Sequence, residues 1–315
     1  MDQTGEKWIK AIYATGTRFN SGRALVWEEG AYGFIDKKGE FVVQPRFKKA
    51  YGFFQGYAAV SDDGKWGFVN RGGEVVVPLK YDKAYSVGYT KQLAPVRKGG
   101  KWGYINMNGD TQVGFRFEKA ALFHEGRASV KKNEKWGFIN TTGSFVVEPA
   151  FNDVKPFNNK VAVVKKKGNW GAIDKQGQEV IDFHFDGMKS FQNGRAPVKK
   201  NESWGYINRD GTIVIDPKYS WAGSFKNELA AVKFQGGKIG FIDTTGDTVI
   251  APLFDRIPHS MFYKEYYGFT NGLVPGILGT RRGMYRLAWI NRNGEYVWGP
   301  KGTVPQQWVT NVSQD

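Results

Sequence analysis

One short motif recurs along the whole sequence: an aromatic residue, a glycine, two apolar residues and then an Asp or Asn. Residues 135–140 show it in full, as Lys-Trp-Gly-Phe-Ile-Asn, and Gly143 follows three residues later. The motif glycines are 34 to 36 residues apart: Gly33, Gly67, Gly103, Gly137, Gly171, Gly205 and Gly240. An altered eighth copy is Leu287-Ala288-Trp289-Ile290-Asn291. A fixed period of this length is typical of tandem-repeat proteins, so one continuous repeat array is predicted.

Each repeat divides into three runs that resemble β-strands. The first alternates small and apolar residues (58–60, Ala-Ala-Val), the second is the motif, and the third is rich in β-branched residues (75–77, Val-Val-Val). The Asp or Asn that ends the motif, with glycine three residues later, predicts a tight turn before the third strand. That strand is expected to stop at a proline such as Pro78, and the next aromatic residue, such as Tyr81, to begin a short tail.

The repeat length alone is ambiguous, because helical tetratricopeptide repeats also have a period of about 34 residues. The 41 glycines and the Val- and Ile-rich runs contradict a pair of helices. We therefore predict an all-β array of about eight hairpin repeats, arranged as an open superhelical stack, with a closed eight-bladed β-propeller as the alternative. The predicted divisions are an N-terminal cap at 1–20 with an orphan strand at Trp8–Ala11, the array at 21–300 with an insertion at 257–286, and a tail at 301–315.

The motif Lys-Trp-Gly-Phe-Ile-Asn, its trailing glycine and the run Val-Val-x-Pro-x-Phe resemble the bacterial WG repeat family, also called KWG repeats. This resemblance covers the array and implies an all-β arrangement of variable copy number. It implies a binding or interaction region rather than an enzyme, with no shared catalytic residues to transfer. The sequence departs from the family pattern at Ile239, in place of Trp, and at Leu287-Ala288, in place of Trp-Gly.

Residues that carry catalysis or bind metals are sparse. The sequence has no cysteine, which excludes a disulfide framework, a thiolate metal site and a cysteine nucleophile. The three histidines, His124, His184 and His259, do not have the spacing of metal ligands on one element. No phosphate-binding loop or nucleophile elbow is present either. We expect a protein that is not an enzyme and that has no cofactor, metal site or catalytic residue.

Two features of the sequence bear on its location. The segment 1–6 has no basic stretch leading into an apolar run, so it does not resemble a signal peptide. No window approaches the roughly 18 apolar residues of a membrane-spanning helix. A cytoplasmic location and no membrane span are therefore expected, with export directed by a signal outside this sequence as the alternative.

The strongest functional signal is a cluster of basic residues after the first strand of successive repeats. The chain carries 45 Lys and Arg against 30 Asp and Glu, a net charge of +15. Because the basic residues share one phase of the repeat, they are expected to line one edge and to bind an acidic partner. Lysines at exposed hairpins also prevent edge-to-edge pairing, which is the alternative explanation. The candidates are Arg97, Lys98, Lys131, Lys132, Lys165, Lys166, Lys167, Lys199, Lys200 and Lys233.

Two aromatic features offer further candidate surfaces. The motif tryptophans (Trp66, Trp102, Trp136, Trp170 and Trp204) are interpreted as a ladder of core residues, with stacking platforms for bases or sugars as the alternative. The insertion at 257–286 is either a cap on the array or a binding loop. Its candidate residues are His259, Phe262, Tyr263, Tyr266, Tyr267, Arg281 and Arg282.

These features predict a non-catalytic scaffold that binds an acidic protein through its basic edge. Two roles fit this prediction: neutralising the partner, as an immunity protein does, or acting as an assembly adaptor. The alternatives are a nucleic-acid-binding repeat protein and a carbohydrate-binding or carbohydrate-active protein.

Small-angle scattering tests the predicted open stack against the closed propeller. A compact particle of 315 residues has a radius of gyration of about 20 Å. We expect the open stack to give a clearly larger value. A measured value close to that of the compact particle would contradict it.

Overall fold

The computed structural model of the protein describes residues 15–17, 19–88, 93–255, 273–279, 285–291 and 296–298. The described residues form β-strands joined by turns, which confirms the predicted all-β tandem array. None of them belongs to a helix long and apolar enough to cross a membrane. The chain forms two compact bodies, the first of residues 1–160 with 175–177 and the second of residues 161–174 with 178–315.

The strands pair into antiparallel sheets, and their order in a sheet follows their order along the chain. A complete sheet has four strands, called here A to D. Strand A has two residues, strands B and C form a tight hairpin, and strand D has seven residues. Strand B contains the alternating small and apolar run, and strand C contains the Trp-Gly motif. Strand D is the last strand in the order, so it lies at an edge of its sheet.

The first body contains four complete sheets. Their strands, from A to D, are β1 (Thr15–Gly16), β2 (Ala24–Glu28), β3 (Ala31–Ile35) and β4 (Phe41–Phe47) in sheet 1; β5 (Lys49–Ala50), β6 (Tyr57–Asp62), β7 (Lys65–Asn70) and β8 (Val75–Tyr81) in sheet 2; β9 (Lys83–Ala84), β10 (Ala94–Lys98), β11 (Lys101–Ile105) and β12 (Thr111–Phe117) in sheet 3; and β13 (Lys119–Ala120), β14 (Ala128–Lys132), β15 (Lys135–Ile139) and β16 (Phe145–Phe151) in sheet 4. A further two-residue strand is β17 (Asp153–Val154).

The second body contains strands B to D of sheet 5, two complete sheets, and the three strands of sheet 8. These strands are β18 (Val161–Lys166), β19 (Asn169–Asp174) and β20 (Glu179–Phe185) in sheet 5; β21 (Gly187–Met188), β22 (Ala196–Lys200), β23 (Ser203–Ile207) and β24 (Ile213–Tyr219) in sheet 6; β25 (Trp221–Ala222), β26 (Ala230–Lys233), β27 (Ile239–Ile242) and β28 (Thr248–Phe254) in sheet 7; and β29 (Leu273–Gly279), β30 (Tyr285–Asn291) and β31 (Tyr296–Trp298) in sheet 8.

Strand A of a sheet is the tail of the preceding sequence repeat. Strand β5 comes at the end of the first repeat but pairs with β6, the first strand of the second repeat. Ahead of the first repeat, Thr15–Gly16 takes the same place and pairs with β2. The orphan strand predicted at Trp8–Ala11 lies outside the described residues. The sheet and the sequence repeat are therefore offset by one strand.

The turn between strands C and D forms as the Asp or Asn and the glycine predict. In sheet 2, Oδ1 of Asn70 accepts hydrogen bonds from the backbone N–H groups of Gly72 at 3.0 Å and Glu74 at 3.1 Å. The N–H of Gly73 donates to the Asn70 carbonyl oxygen at 3.0 Å. Gly73 has a φ of +87°, which glycine adopts at little cost. The short side chain and the glycine together close this turn.

The motif glycine is required by a bulge in strand D. In sheet 2, Trp66 pairs with Tyr81 and Phe68 with Val77, so Gly67 alone faces three residues of the longer strand. A Cβ atom at Gly67 would lie 2.3 Å from the Val77 carbonyl oxygen. At the other six motif glycines the corresponding distance is 2.4 to 2.7 Å. A Cβ atom fits none of these seven positions unless the backbone of strand D shifts, so sheets 1 to 7 require glycine here.

Strand D does not stop at its proline, contrary to the prediction from the sequence. Strand β8 continues through Pro78 to Tyr81, which pairs with Trp66. Proline lacks a backbone N–H, but this one lies in the bulge of an edge strand, where the ladder does not need the donor. The aromatic residue therefore ends strand D instead of beginning the tail.

The hydrophobic core lies between successive sheets of a body. Phe34 of β3 in sheet 1 meets Phe53, which follows strand A of sheet 2, with their ring centroids 4.7 Å apart. Both rings are almost fully buried. Equivalent pairs, each 4.8 Å apart, are Tyr104 with Phe123, Phe138 with Phe157, and Tyr206 with Phe225. The third residue of the motif thus anchors one sheet to the next.

Sheet 8 keeps the strand pairing of the regular sheets despite its altered motif. Gly276 of β29 lies opposite Ala288 of β30, as Val60 lies opposite Gly67 in sheet 2. Strand β29 belongs to the segment predicted as the insertion 257–286. It is strand B of its sheet, and most of that segment lies outside the described residues.

Replacing a motif glycine by alanine is expected to destabilise the array. Gly137→Ala would place a Cβ atom 2.6 Å from the Val147 carbonyl oxygen, and overpacking of this kind costs about 1–3 kcal/mol. Urea unfolding followed by circular dichroism measures the change in the free energy of unfolding. The matched control is Gly114→Ala in strand D of sheet 3, where no atom lies within 4 Å of the added Cβ. Equal stabilities of the two variants would contradict the proposed role of the bulge.

Candidate partner-binding surface

The ten predicted binding residues lie at the hairpins between strands B and C. Nine of them end strand B, directly after its buried valine, and Lys167 lies in the following turn. In the first body, Arg97 pairs with Trp102 and Lys131 with Trp136. The corresponding pairs in the second body are Lys165 with Trp170, Lys199 with Trp204, and Lys233 with Ile239. Sheets 3 to 7 thus all carry their cations at the same place, where strand B ends and the B–C hairpin begins.

The cations divide between the two faces of each sheet, whereas the sequence predicted a single edge. Successive residues of a strand point to opposite faces, so the first cation after the valine lies on the face of the tryptophan and the second on the other face. The half-buried inner row is Arg97, Lys131, Lys165, Lys199 and Lys233. The exposed outer row is Lys98, Lys132, Lys166 and Lys200.

Few of these cations are neutralised by a neighbouring carboxylate. Lys199 forms an ion pair with Glu202 at 2.7 Å. For the other members of the two rows, no carboxylate among the described residues lies within 4.0 Å. Three of the cations lie 5.5 to 5.9 Å from the centre of an aromatic ring: Lys132 at Phe145, Lys165 at Trp170 and Lys166 at Phe183. The rows therefore present largely uncompensated positive charge.

Carboxylates near the hairpins are engaged elsewhere. Between sheets 2 and 3, the hydrogen bond from Lys65 holds the pKa of Asp82 below its usual value, and the turn amides of Gly100 and Gly99 add to this effect. In sheet 4, Oε2 of Glu118 accepts a hydrogen bond from the Glu134 backbone N–H at 3.2 Å. These acids stabilise turns and strand ends rather than pairing with the cations of the two rows.

The motif tryptophans pack between sheets, as the core interpretation predicts, but their burial varies. Trp66 is 7% exposed and Trp102 is 5% exposed, and both belong to the hydrophobic core. Trp136, Trp170 and Trp204 are half-buried. The core interpretation is therefore confirmed for the first two, whereas the other three also reach the surface.

A groove opens on the tryptophan face of sheet 3, within the first body. Its volume is about 730 Å³, and it is called here the tryptophan groove. Tyr85 stacks on Trp102 inside it, with ring centroids 4.8 Å apart and ring planes 9° apart. Lys83, Arg97 and Lys119 line it, and Glu118 is its one acidic lining residue. Other lining residues are Tyr51, Ser86, Ala120, Ala121, Leu122 and Trp136.

The second candidate surface lies outside the described residues. It consists of His259, Phe262, Tyr263, Tyr266, Tyr267, Arg281 and Arg282. Of the other histidines, His124 is half-buried, and this burial lowers the pKa of its imidazole. His184 packs its ring 4.0 Å from that of Phe185. No group of three potential metal ligands occurs in the part of the chain that the structure describes.

The fold and this surface define an all-β tandem-repeat protein with rows of cations on its hairpins. Seven consecutive segments match the WG containing repeat, and together they cover most of the chain. The matched residues are 32–66, 66–102, 102–136, 136–170, 170–203, 204–238 and 239–275. The chain therefore belongs to the WG repeat family.

Solved structures resemble this chain only distantly. BamB from Moraxella catarrhalis is 12% identical, with a TM-score of 0.47, and the match covers 90% of this chain and 97% of BamB. Kluyveromyces lactis Hsv2p is also 12% identical, with a TM-score of 0.40, and the match covers 72% of this chain and 78% of Hsv2p. The designed protein Ika4 is 14% identical, with a TM-score of 0.28 and coverage of 43% and 88%. No curated protein sequence matches the chain.

Removing the Tyr104 hydroxyl is expected to lower stability at neutral pH. This phenol donates a hydrogen bond to the Ala121 carbonyl oxygen at 2.7 Å, and Tyr104→Phe leaves that oxygen without its donor. The expected cost is about 1–3 kcal/mol in the free energy of unfolding. Burial also raises the pKa of the Tyr104 phenol, so the folded protein holds this proton after the unfolded chain has lost it. Stability should therefore fall as the pH rises above about 10, and fall less in the variant. Urea unfolding at neutral pH and above about pH 10 measures the free energy of unfolding of the wild type and of Tyr104→Phe. Equal values for the two proteins at both pH conditions would contradict the prediction.

Proposed function

We propose that this protein is a non-catalytic scaffold that binds an acidic protein through the cations of its B–C hairpins. One observation carries the proposal: eight of the ten candidate cations, all except Lys167 and Lys199, have no carboxylate within 4.0 Å among the described residues. Uncompensated charge repeated at one point of each sheet attracts an oppositely charged surface. It also favours rapid, correctly oriented association.

We expect the two rows to act at different stages of binding, the outer row during the approach of the partner and the inner row in the bound complex. The outer row is exposed, so its lysines act mainly at long range and are screened beyond about 8 to 10 Å at physiological ionic strength. The inner row is half-buried, and four of its five members lie opposite a tryptophan of strand C, where water is partly excluded. A carboxylate that reaches the inner row interacts more strongly than one at the outer row, because screening there is weaker.

An association of this kind serves either of the two predicted roles, neutralisation of the partner or assembly of a complex. Identifying the partner separates these roles. A nucleic acid or an acidic carbohydrate presents similar charge, so both belong among the outcomes of the test.

Reversing the outer row is expected to weaken capture of the partner without unfolding the protein. The variant is Lys132→Glu, Lys166→Glu and Lys200→Glu, all at exposed positions, where substitutions cost within about 0.5 kcal/mol each. The partner is first purified by affinity capture from a nuclease-treated extract of the source cells. Surface plasmon resonance then measures the association rate at several salt concentrations. We expect the rate to fall about tenfold or more at low salt and the salt dependence to flatten.

The matched control reverses three exposed cations away from the hairpins, Lys37, Lys48 and Arg209. Each reversal removes two charges, so both triple variants have a net charge of +9 instead of +15. Equal binding of the two variants would show that only the net charge matters and would contradict the proposal. Recovery of the protein's partner only from extracts without nuclease treatment would favour a nucleic acid, and turnover of a glycan would favour an enzyme.

A further inference from the structure

In two sheets of the first body, a tyrosine covers the motif tryptophan. The residue directly after strand A occupies what is called here the cover position. Tyr51 takes this position in sheet 2 and stacks on Trp66, with ring centroids 5.3 Å apart and ring planes 23° apart. Tyr85 takes it in sheet 3 and stacks on Trp102 at 4.8 Å. In the second body, the Lys189 ammonium group lies 5.2 Å from the Trp204 ring centre.

Sheet 4 has the same backbone at this point but lacks the covering side chain. The N–H of Ala121 donates to the Ser129 carbonyl oxygen at 2.9 Å. Tyr51 and Tyr85 make the equivalent backbone bonds at 2.9 and 3.1 Å. Alanine has no ring, and among the described residues no aromatic ring or cation lies over the indole of Trp136. Trp136 is half-buried and lines the tryptophan groove together with Ala121.

The charges of the groove favour an acidic occupant. Lys83, Arg97 and Lys119 line it against a single acid, Glu118, which accepts the Glu134 N–H. The Nε atom of Arg97 is buried, and no group among the described residues accepts a hydrogen bond from it. Arg97 itself is half-buried, so its guanidinium group can pair with the carboxylate of a ligand at the groove surface.

We propose that the tryptophan groove binds an aromatic side chain of an acidic peptide segment. The ring stacks on Trp136 in the place that Tyr51 and Tyr85 fill within the protein, and an adjacent carboxylate of the same segment accepts from Arg97. The inference deepens the proposed function, because it rests on a protein partner and names the part of that partner that is recognised.

A peptide fits the groove better than a single-stranded nucleic acid does. Stacking of successive bases requires several open aromatic rings in a row. Here Trp66 and Trp102 are already covered by tyrosines, so Trp136 is the one motif tryptophan of the first body that is left open among the described residues. The fitting occupant is one side chain of the size of tyrosine, and the two covered sheets show how it sits.

The substitution Ala121→Tyr supplies the ring from within the protein and should block the groove. The ligand used in the test is the blocked peptide Asp-Glu-(4-fluorophenylalanine)-Glu-Asp, observed by fluorine NMR. We expect the wild-type protein to shift or broaden the fluorine resonance and Ala121→Tyr to weaken this binding by about tenfold or more, since stacking and burial of one ring are lost. The peptide Asp-Glu-Ala-Glu-Asp, which has the same charge but no ring, should compete poorly.

The matched control is Ala150→Tyr, the same substitution at an exposed position of β16 in the same sheet, and it should bind the peptide like the wild type. Lys119→Glu changes an exposed residue of the groove wall and should also weaken binding, even if Ala121→Tyr fails to fold. Unchanged binding in Ala121→Tyr and Lys119→Glu, or equally strong binding of the ring-free peptide, would overturn the inference. Stronger binding of a single-stranded oligonucleotide that Ala121→Tyr abolishes would overturn it in favour of a base. The proposed function fails separately, if reversal of the outer row leaves capture of the partner unchanged.

Discussion

The close approach of the strand D carbonyl group to the motif glycine is the contact on which sheets 1 to 7 depend. It exists only because strand D has extra residues at this point, and it requires a residue without a side chain. The bulge brings the aromatic residue at the end of strand D opposite the motif tryptophan, so that two large rings share one face of the sheet. That face then packs on the following sheet. The glycine therefore determines how successive sheets stack, although it contributes almost no buried surface of its own.

Strands B and C and the turn after them could be predicted from the sequence, because each depends on neighbouring residues. Alternation of apolar residues defines the strands, and the side chain of Asn70 with Gly73 defines the turn. The place of strand A could not be predicted, since its partner lies in the following repeat and two residues carry little periodicity. The path of strand D through Pro78 depends on the bulge, a feature of pairing that the composition of one strand does not indicate.

The candidate surface was partly predictable for similar reasons. The phase of the repeat placed the cations correctly on the hairpins, and the alternation of a strand already implied that Lys131 and Lys132 lie on opposite faces. The tryptophan groove was not predicted, because it depends on the absence of a covering tyrosine at one position, Ala121. Aligning the repeats on the motif would have exposed the signal, since Ala121 stands where the two preceding repeats have tyrosine. An irregularity in one repeat therefore locates a surface feature that the shared residues do not indicate.

The offset between sheet and sequence repeat has a consequence for how such a chain can grow or shrink. Each complete sheet takes strand A from one repeat and strands B to D from the next. The boundary between two sequence repeats therefore falls within a sheet, between its strands A and B. A duplicated segment of one period, wherever its ends fall, supplies every strand that one additional sheet needs. A chain cut directly before strand B instead leaves a sheet without strand A and exposes the edge of strand B. Gain and loss of copies are thus tolerated in whole periods, and the first copy always needs a short strand from the residues that precede it, as β1 provides here.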